Sequence, residues 1–308
     1  MTSRPLDFAG RVVVITGAGR GLGRAYALLL AARGARVVVD DPGVAPDGGG
    51  GDPAPAEAVV AEIRAAGGEA VACFASVADP AGGRAVVECA LDHFGRLDAL
   101  IHNAGIVRYA PLEAYPEEDF RAVLDVHLHG AFHVVKPAFA AMKRARFGRI
   151  VLTSSISGLY GLPGSLAYGV AKAGILGLNH VAAREGAEHG IRCNAILPAA
   201  ITRLAAGVDT SGFPPMPPEE VAPVVAWLAH ERCSVSGEAF IAAAGRVARA
   251  LVAETPGVFR AHWTPEAVEE ALPAVRDDGV LWRIHPLPDG FHEHLQRSFA
   301  MASQGGER

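Results

Sequence analysis

Three residues carry most of the chemistry legible in this chain of 308 residues: Ser155, Tyr168 and Lys172, within "TSSISGLYGLPGSLAYGVAKAG" (153–174). Tyr168 and Lys172 stand four apart on a stretch predicted as helix, so their side chains share a face. Ser155 precedes the tyrosine by thirteen residues and closes a predicted strand. It can therefore meet the pair at the carboxyl edge of a sheet. A phenol ordinarily loses its proton near pH ~10, too high for a base at neutrality. A nearby ammonium favours the phenolate and lowers that value. Lysine is a compact charge with three donors and can also bond a sugar hydroxyl, which a broad guanidinium would meet differently. The chain writes 25 of its 28 bases as Arg, so a lysine at 172 reads as a chemical requirement.

A Y-x-x-x-K pair alone also occurs on solvated helices. What sets this one apart is the serine and a glycine turn far upstream, "TGAGRGLG" (16–23), between a strand and a helix. Gly17, Gly21 and Gly23 space as G-x-x-x-G-x-G, with Leu22 opening the helix. Missing side chains let such a backbone turn approach a pyrophosphate, which a helix N-terminus favours. A ligand-free glycine turn has the same letters, so the context matters. Asp41 ends the second strand, eighteen residues past Gly23. There an acid bonds adenosine ribose hydroxyls and repels a 2′-phosphate, favouring NAD over NADP. Asp40 adds to the acidic side, whereas Arg20, inside the turn, can pair with a phosphate and pulls toward NADP. Both acids are also what a solvated strand end would carry. Together the groups suit hydride exchange with a nicotinamide: serine steadies an oxygen, and the phenol moves its proton.

The secondary structure that would carry these residues is read from apolar runs. "RVVVIT" (11–16) is apolar on both faces, as a central parallel strand should be. Leu22–Arg33 is a predicted helix, and "ARVVVD" (35–40) a second strand. The Gly/Pro loop 41–57 is long for a connection in a compact domain. Beyond it lie a helix over 56–66, the strand "EAVACF", a helix over 80–94 and the strand within "LDALIHNAG". Next come one helix over 117–145, the strand "GRIVLTSS", a helix over 165–189 and the strand "IRCNAILP". A helix over 218–230 and the strand "EAFIAA" close the series. About seven strands alternating with helices predict an α/β fold: a Rossmann-type doubly wound parallel sheet with helices on both faces. The expected catalytic domain is 1–245, with 246–308 a C-terminal extension of helices and loops packed on it.

These motifs resemble the short-chain dehydrogenase/reductase family from residue 8 to about 245. The resemblance rests on "TGAGRGLG", the "HNAG" turn (102–105), Ser155, Tyr168 and Lys172. It implies that Asn103, Ala104 and Gly105 steady the sheet near the adenosine and that Lys172 binds the nicotinamide ribose. It also implies that backbone groups of "ILPAAIT" (196–202), with Pro198, Ile201 and Thr202, hold the carboxamide. Finer features are similar to one subgroup, the (3R)-hydroxyacyl-CoA dehydrogenase unit of the peroxisomal multifunctional enzyme type 2, and its bacterial relatives called 17β-hydroxysteroid dehydrogenases. They are the enlarged loop after Asp41, "DVHLHGAF" (125–132), "REGAEHGIRCNAILP" and "WTPEAVEEA" (263–271). Three positions depart from the family. His127 replaces an Asn that helps hold a water in a proton relay, and imidazole can itself donate and accept. Ala75 replaces an adenine-contacting Asp, leaving Ser76 and Val77 to line that pocket. Ala199 replaces a Gly after Pro198.

The composition excludes other classes. A net charge of −5 carries no basic footprint, so no nucleic-acid partner is expected. No apolar run is long enough for a signal peptide or a membrane span, and a cytoplasmic protein is expected. Four scattered cysteines read as thiols in a reducing compartment. No metal site is expected: His129 and His133 share a helix face without a third ligand, and His292 and His294 lack a rigid support. The expected activity is an NAD-dependent interconversion of a secondary alcohol and a ketone. Its expected small-molecule substrate is a (3R)-hydroxyacyl-CoA or a steroid-type alcohol, with 205–220 covering an apolar pocket. An NADPH ketoreductase and a non-catalytic dinucleotide-binding regulator are the rival readings. The resemblance implies a homodimer or homotetramer built on helices 117–145 and 165–189.

Overall fold

The computed structural model describes residues 5–203 and 209–305. Its centre is an eight-stranded sheet ordered β3-β2-β1-β4-β5-β6-β7-β8. The strands are β1 (Val12–Thr16), β2 (Arg36–Asp40), β3 (Glu69–Cys73), β4 (Ala99–His102), β5 (Gly148–Thr153), β6 (Ile191–Ala199), β7 (Ala239–Ala243) and β8 (Arg246–Ala250). Those from β3 across to β7 pair in parallel. Every residue of β1, β4 and β5 is buried, which explains why these strands are mostly apolar.

Helices α1 (Gly21–Ala32), α2 (Ala54–Ala65) and α8 (Ala222–Ala229) contribute to one apolar core with Val13, Ile15, Val37, Val39, Ile101, Val151 and Ile196. Helices α3 (Pro80–Phe94), α5 (Gly130–Ala145) and α7 (Leu166–Gly186) also pack on the strands. They bury Val86, Val134, Ala138 and Ile175. Asp79 caps α3 by accepting from the Ala81 and Gly82 amides, both at 2.9 Å.

Two expectations need correction. The stretch 117–145 is not one α-helix: α4 (Glu117–Leu124) and α5 are separated by a π-helical turn, Asp125–His129. The extra residue in that turn rotates α5 relative to α4, and such turns cluster at functional sites. The sheet has eight strands rather than about seven, since β8 continues it past residue 245. Ala244 and Gly245 join β7 to β8 with φ of 48° and 75°. Two left-handed residues make the tight reversal of a hairpin, and Arg246 and Arg249 on β8 blunt the sheet edge.

A four-residue helix, α6 (Ser157–Tyr160), was also not expected. The compact unit holding the sheet runs to Arg249, and residues 250–308 form a second unit. That unit contains α9 (Pro265–Val275), opened by a Thr264 cap, and α10 (Gly290–Gly305). A short bridge between Glu254 and Trp282 and an Arg297 guanidinium 5.1 Å from the Trp282 ring tie it together. Among the described residues no helix is long and apolar enough to cross a membrane.

Candidate active site

The sheet order reverses between β1 and β4, and the crevice beyond the carboxyl ends of those strands is where such sheets bind ligands. A cavity of about 390 Å³ lies there. Gly17, Arg20, Gly21, Leu22, Asp41, Ser76, Val77, Asn103, Ala104, Gly105 and Thr202 line it. Gly17 has φ of 65°, and a Cβ there would come 2.8 Å from Ala104 Cα, so this turn tolerates no side chain. Gly23 does not line the cavity. A Cβ at Gly23 would run into the Gly17 carbonyl oxygen, so its role is to let α1 start hard against the turn. Asn103 holds that turn from the other side, donating from Nδ2 to the carbonyls of Thr16 (3.3 Å) and Gly17 (3.0 Å). A backbone cradle bare of side chains, opening a helix and flanked by acids, fits a dinucleotide.

Asp41 is buried, and both its carboxylate oxygens already accept backbone amides: Gly19 at 2.8 Å and Gly43 at 2.7 Å. Each oxygen keeps a second lone pair for a sugar hydroxyl. Asp40 is fully buried with no hydrogen-bond partner on either oxygen. Burial first, then the neighbouring Cys73, drives its pKa well up, which disfavours a second negative charge beside Asp41. Arg20 and Arg203 reach the same cavity, and Arg203 donates to the Val44 carbonyl of the long loop at 2.9 Å. Arg203, Val44, Asp47, Ile106 and Arg108 were not singled out in the sequence. An arginine in so Arg-rich a chain carries no signal, and the fold of the loop has none either.

Lys172 is buried, and its Nζ donates to the Thr153 carbonyl at 2.6 Å. It lies 5.4 Å from the centroid of the Tyr168 ring. Ser155 ends the segment after β5; its Oγ accepts from the Ser157 amide at 3.1 Å and stands close enough to the Tyr168 phenol to favour its ionised form. The three residues are thus brought together, beside rather than inside the large cavity. The expected electrostatics differ, however. Burial pulls Lys172 down to about 7, and burial raises Tyr168, with the Ser155 bond only partly offsetting it. Both charged forms are disfavoured in this dry corner, so the lysine does not by itself depress the phenol.

His127 sits in the π turn, buried, its ring edge-on to Tyr168 with centroids 5.2 Å apart. Its Nε2 lies 2.8 Å from the Ile106 carbonyl and 3.1 Å from the Ile106 amide, while Nδ1 is buried without a partner. One ring nitrogen cannot both donate to the Ile106 carbonyl and accept from the Ile106 amide, so either tautomer leaves buried polar groups of this corner unpaired. Burial and the Lys172 charge keep this imidazole neutral. A side chain at Gly105 would collide with the same ring.

Pro198 lies in β6, and Thr202 lines the cavity. The Ile201 amide, expected to face a carboxamide, instead donates to the Met216 carbonyl at 2.8 Å. Of the segment expected to cover an apolar pocket, residues 205–208 lie outside the described residues, and Phe213 beyond them is half exposed. His129 bonds Asp125 at 2.8 Å and His133 the Val77 carbonyl at 3.0 Å.

The family model described as short chain dehydrogenase matches residues 11–209. The peroxisomal multifunctional enzyme type 2 of Drosophila melanogaster is 48% identical over 241 residues, which is 78% of this chain and 40% of that enzyme. The chain therefore spans less than half the length of that relative. A crystal structure of a short chain dehydrogenase from Mycobacterium avium superposes with a TM-score of 0.77 at 41% identity, covering 87% of this chain and 95% of that one. The full-length Drosophila multifunctional enzyme superposes with a TM-score of 0.80 at 36% identity, covering 97% of this chain and 50% of that one.

Proposed function

This chain belongs to the short-chain dehydrogenase family and is an oxidoreductase acting on CH–OH groups, and we propose that it interconverts a (3R)-hydroxyacyl-CoA or a steroid-type secondary alcohol and the corresponding ketone with NAD. The observation that carries this reading is the meeting of Ser155, Tyr168 and Lys172 beside a glycine-walled cavity. Ser155 orients the substrate oxygen, and Tyr168 takes its proton. Lys172 binds a ribose hydroxyl beside the phenol. Gly17, Gly21 and Leu22 cradle the pyrophosphate, Asp41 takes the adenosine ribose, and Ser76 and Val77 line the adenine side. The dinucleotide, when bound, supplies the hydride acceptor. His127 holds the wall behind Tyr168.

Apolar substrates suit the neighbourhood of Ser155, since Ile156, Tyr160 and Leu162, the next few residues along the chain, leave large apolar surfaces exposed. The same reasoning supports a homo-oligomer. Val170, Ala173, Gly177 and Val181 form an exposed stripe on α7, and Phe132 is exposed on α5. A second reading, an NADPH-dependent ketoreductase, is favoured by Arg20 and Arg203 in the cavity, which could hold a 2′-phosphate.

The test is absorbance of reduced nicotinamide, with NAD or NADP offered alongside a medium-chain (3R)-hydroxyacyl-CoA and, separately, a 17β-hydroxysteroid. Reduction of NAD at the higher kcat/KM is expected. Preference for NADP would reverse the cofactor assignment, and silence with every pair would overturn the substrate reading.

A further inference from the structure

No step proposed above uses the buried chain Thr16–His102–His127. Thr16 and His102 are the last residues of β1 and β4 and stand in register at the switch point. Thr16 Oγ1 accepts the amides of Asn103 and Ala104, each at 3.1 Å. Both its lone pairs are then engaged, so its own proton goes to His102 Nδ1, 3.1 Å away. His102 Nδ1 is therefore an acceptor, and its proton sits on Nε2. That nitrogen lies 3.3 Å from the His127 carbonyl oxygen. His102 is 1% exposed. The titratable groups facing it are Lys172 on α7 and His127 in the π turn. Burial first, then Lys172, pulls its pKa down to about 3, so the ring stays neutral wherever the fold is intact.

We propose that His102 is a positioning residue for the Tyr168–Lys172 centre: fixed as its Nε2–H tautomer by Thr16, it holds the His127 carbonyl and, through it, the imidazole wall against which Tyr168 packs. The inference rests on the reading of Tyr168 as the acid/base. Its physical content is that one oxygen serves two places. Thr16 Oγ1 fixes the 103–104 turn that walls the cavity and, through His102, the turn that backs the phenol. A π turn breaks the regular helical ladder, so an outside donor on one of its carbonyls is a direct way to hold its register.

Three substitutions separate positioning from mere filling. Gln at 102 can reach the Nε2 position and keep a donor for the His127 carbonyl. Asn reaches only the Nδ1 position, keeping Thr16 and dropping the carbonyl, and Leu drops both. The wild-type chain, with ¹⁵N-labelled histidine, is expected to show His102 neutral with the proton on Nε2 across neutral pH. His102→Asn is expected to bind NAD as wild type does but to lose turnover about tenfold, the scale of one buried polar contact at a reacting centre.

Its Tyr168 titration, read as the ultraviolet difference against the same chain carrying Tyr168→Phe, is expected to move. His102→Gln should return both the titration and the turnover most of the way, and His102→Leu should do worse than Asn on both. A proton on Nδ1, or an unmoved Tyr168 titration in His102→Asn, overturns the proposal. Both readouts need no turnover, so they decide it even where the assumed substrates prove wrong. Lower stability in all three variants, with the Tyr168 titration unmoved, assigns His102 to packing alone and overturns it as well.

Discussion

At the scale of single residues, Lys172 shows what letters reveal and what they hide. Its identity was legible, because a lysine in an arginine-writing chain four residues after a tyrosine points to chemistry. Its environment was not, because burial depends on the whole fold. The sequence led us to expect an ammonium lowering the phenol. Burial instead draws the lysine down to about 7 and raises Tyr168. This has a thermodynamic consequence in the dinucleotide-free chain. A lysine whose folded pKa lies below its ordinary 10.5 costs stability fully below pH about 7. The cost fades as pH rises, since between those values the unfolded chain binds the extra proton. Lys172→Met is therefore expected to gain its largest melting-temperature margin over wild type below pH 7, shrinking toward pH 10. A margin that stays constant over that window would show that the lysine is not held neutral.

Secondary elements were legible where burial is uniform and illegible where a hydrogen bond slips by one residue. β1 and the Ile150–Leu152 stretch of β5 announce themselves because strands buried on both faces read as near-continuous apolar runs. The break in 117–145 has no such mark. No residue of "DVHLH" is a glycine or proline that would break an α-helix, and the π turn arises from how His127 and its neighbours pack. β8 escaped notice because "RVARA" is an edge strand with exposed arginines rather than an apolar run. Its hairpin makes a separate prediction. Ala244 sits exposed at φ 48°, where a Cβ costs about 1 kcal/mol. Ala244→Asn, a residue that accepts this region and precedes Gly245, is expected to raise the unfolding free energy by up to about 1 kcal/mol without changing turnover. Thermal and urea unfolding would check it, and a loss of stability would show that the turn is not strained as described.

At the scale of the whole molecule, alternation of strands and helices predicted a doubly wound sheet, but the strand order could not be read from periodicity. That order places Thr16 beside His102 and so puts residues far apart in sequence around one crevice. The same distance in sequence explains why the contact of Arg203 with the loop after Asp41 was not read: their meeting is a property of the folded chain. The exposed stripe on α7 carries the assembly prediction. Val181→Glu, with Phe132→Glu on α5, is expected to convert an oligomer into a monomer by sedimentation while leaving the melting transition cooperative. An unchanged sedimentation coefficient would place the interface elsewhere.

The central claim is that the Tyr168 phenol moves the proton that accompanies hydride transfer. Its most direct test compares wild type with Tyr168→Phe, at matched NAD binding, by the rate at which reduced nicotinamide appears from the substrate that wild type uses best. The ring and its packing against His127 survive the change, and only the hydroxyl is lost. The expected result is a rate lower by about 10²–10⁴-fold with the NAD dissociation constant held. A rate near that of wild type would contradict the assignment of Tyr168 and move the proton transfer to another group.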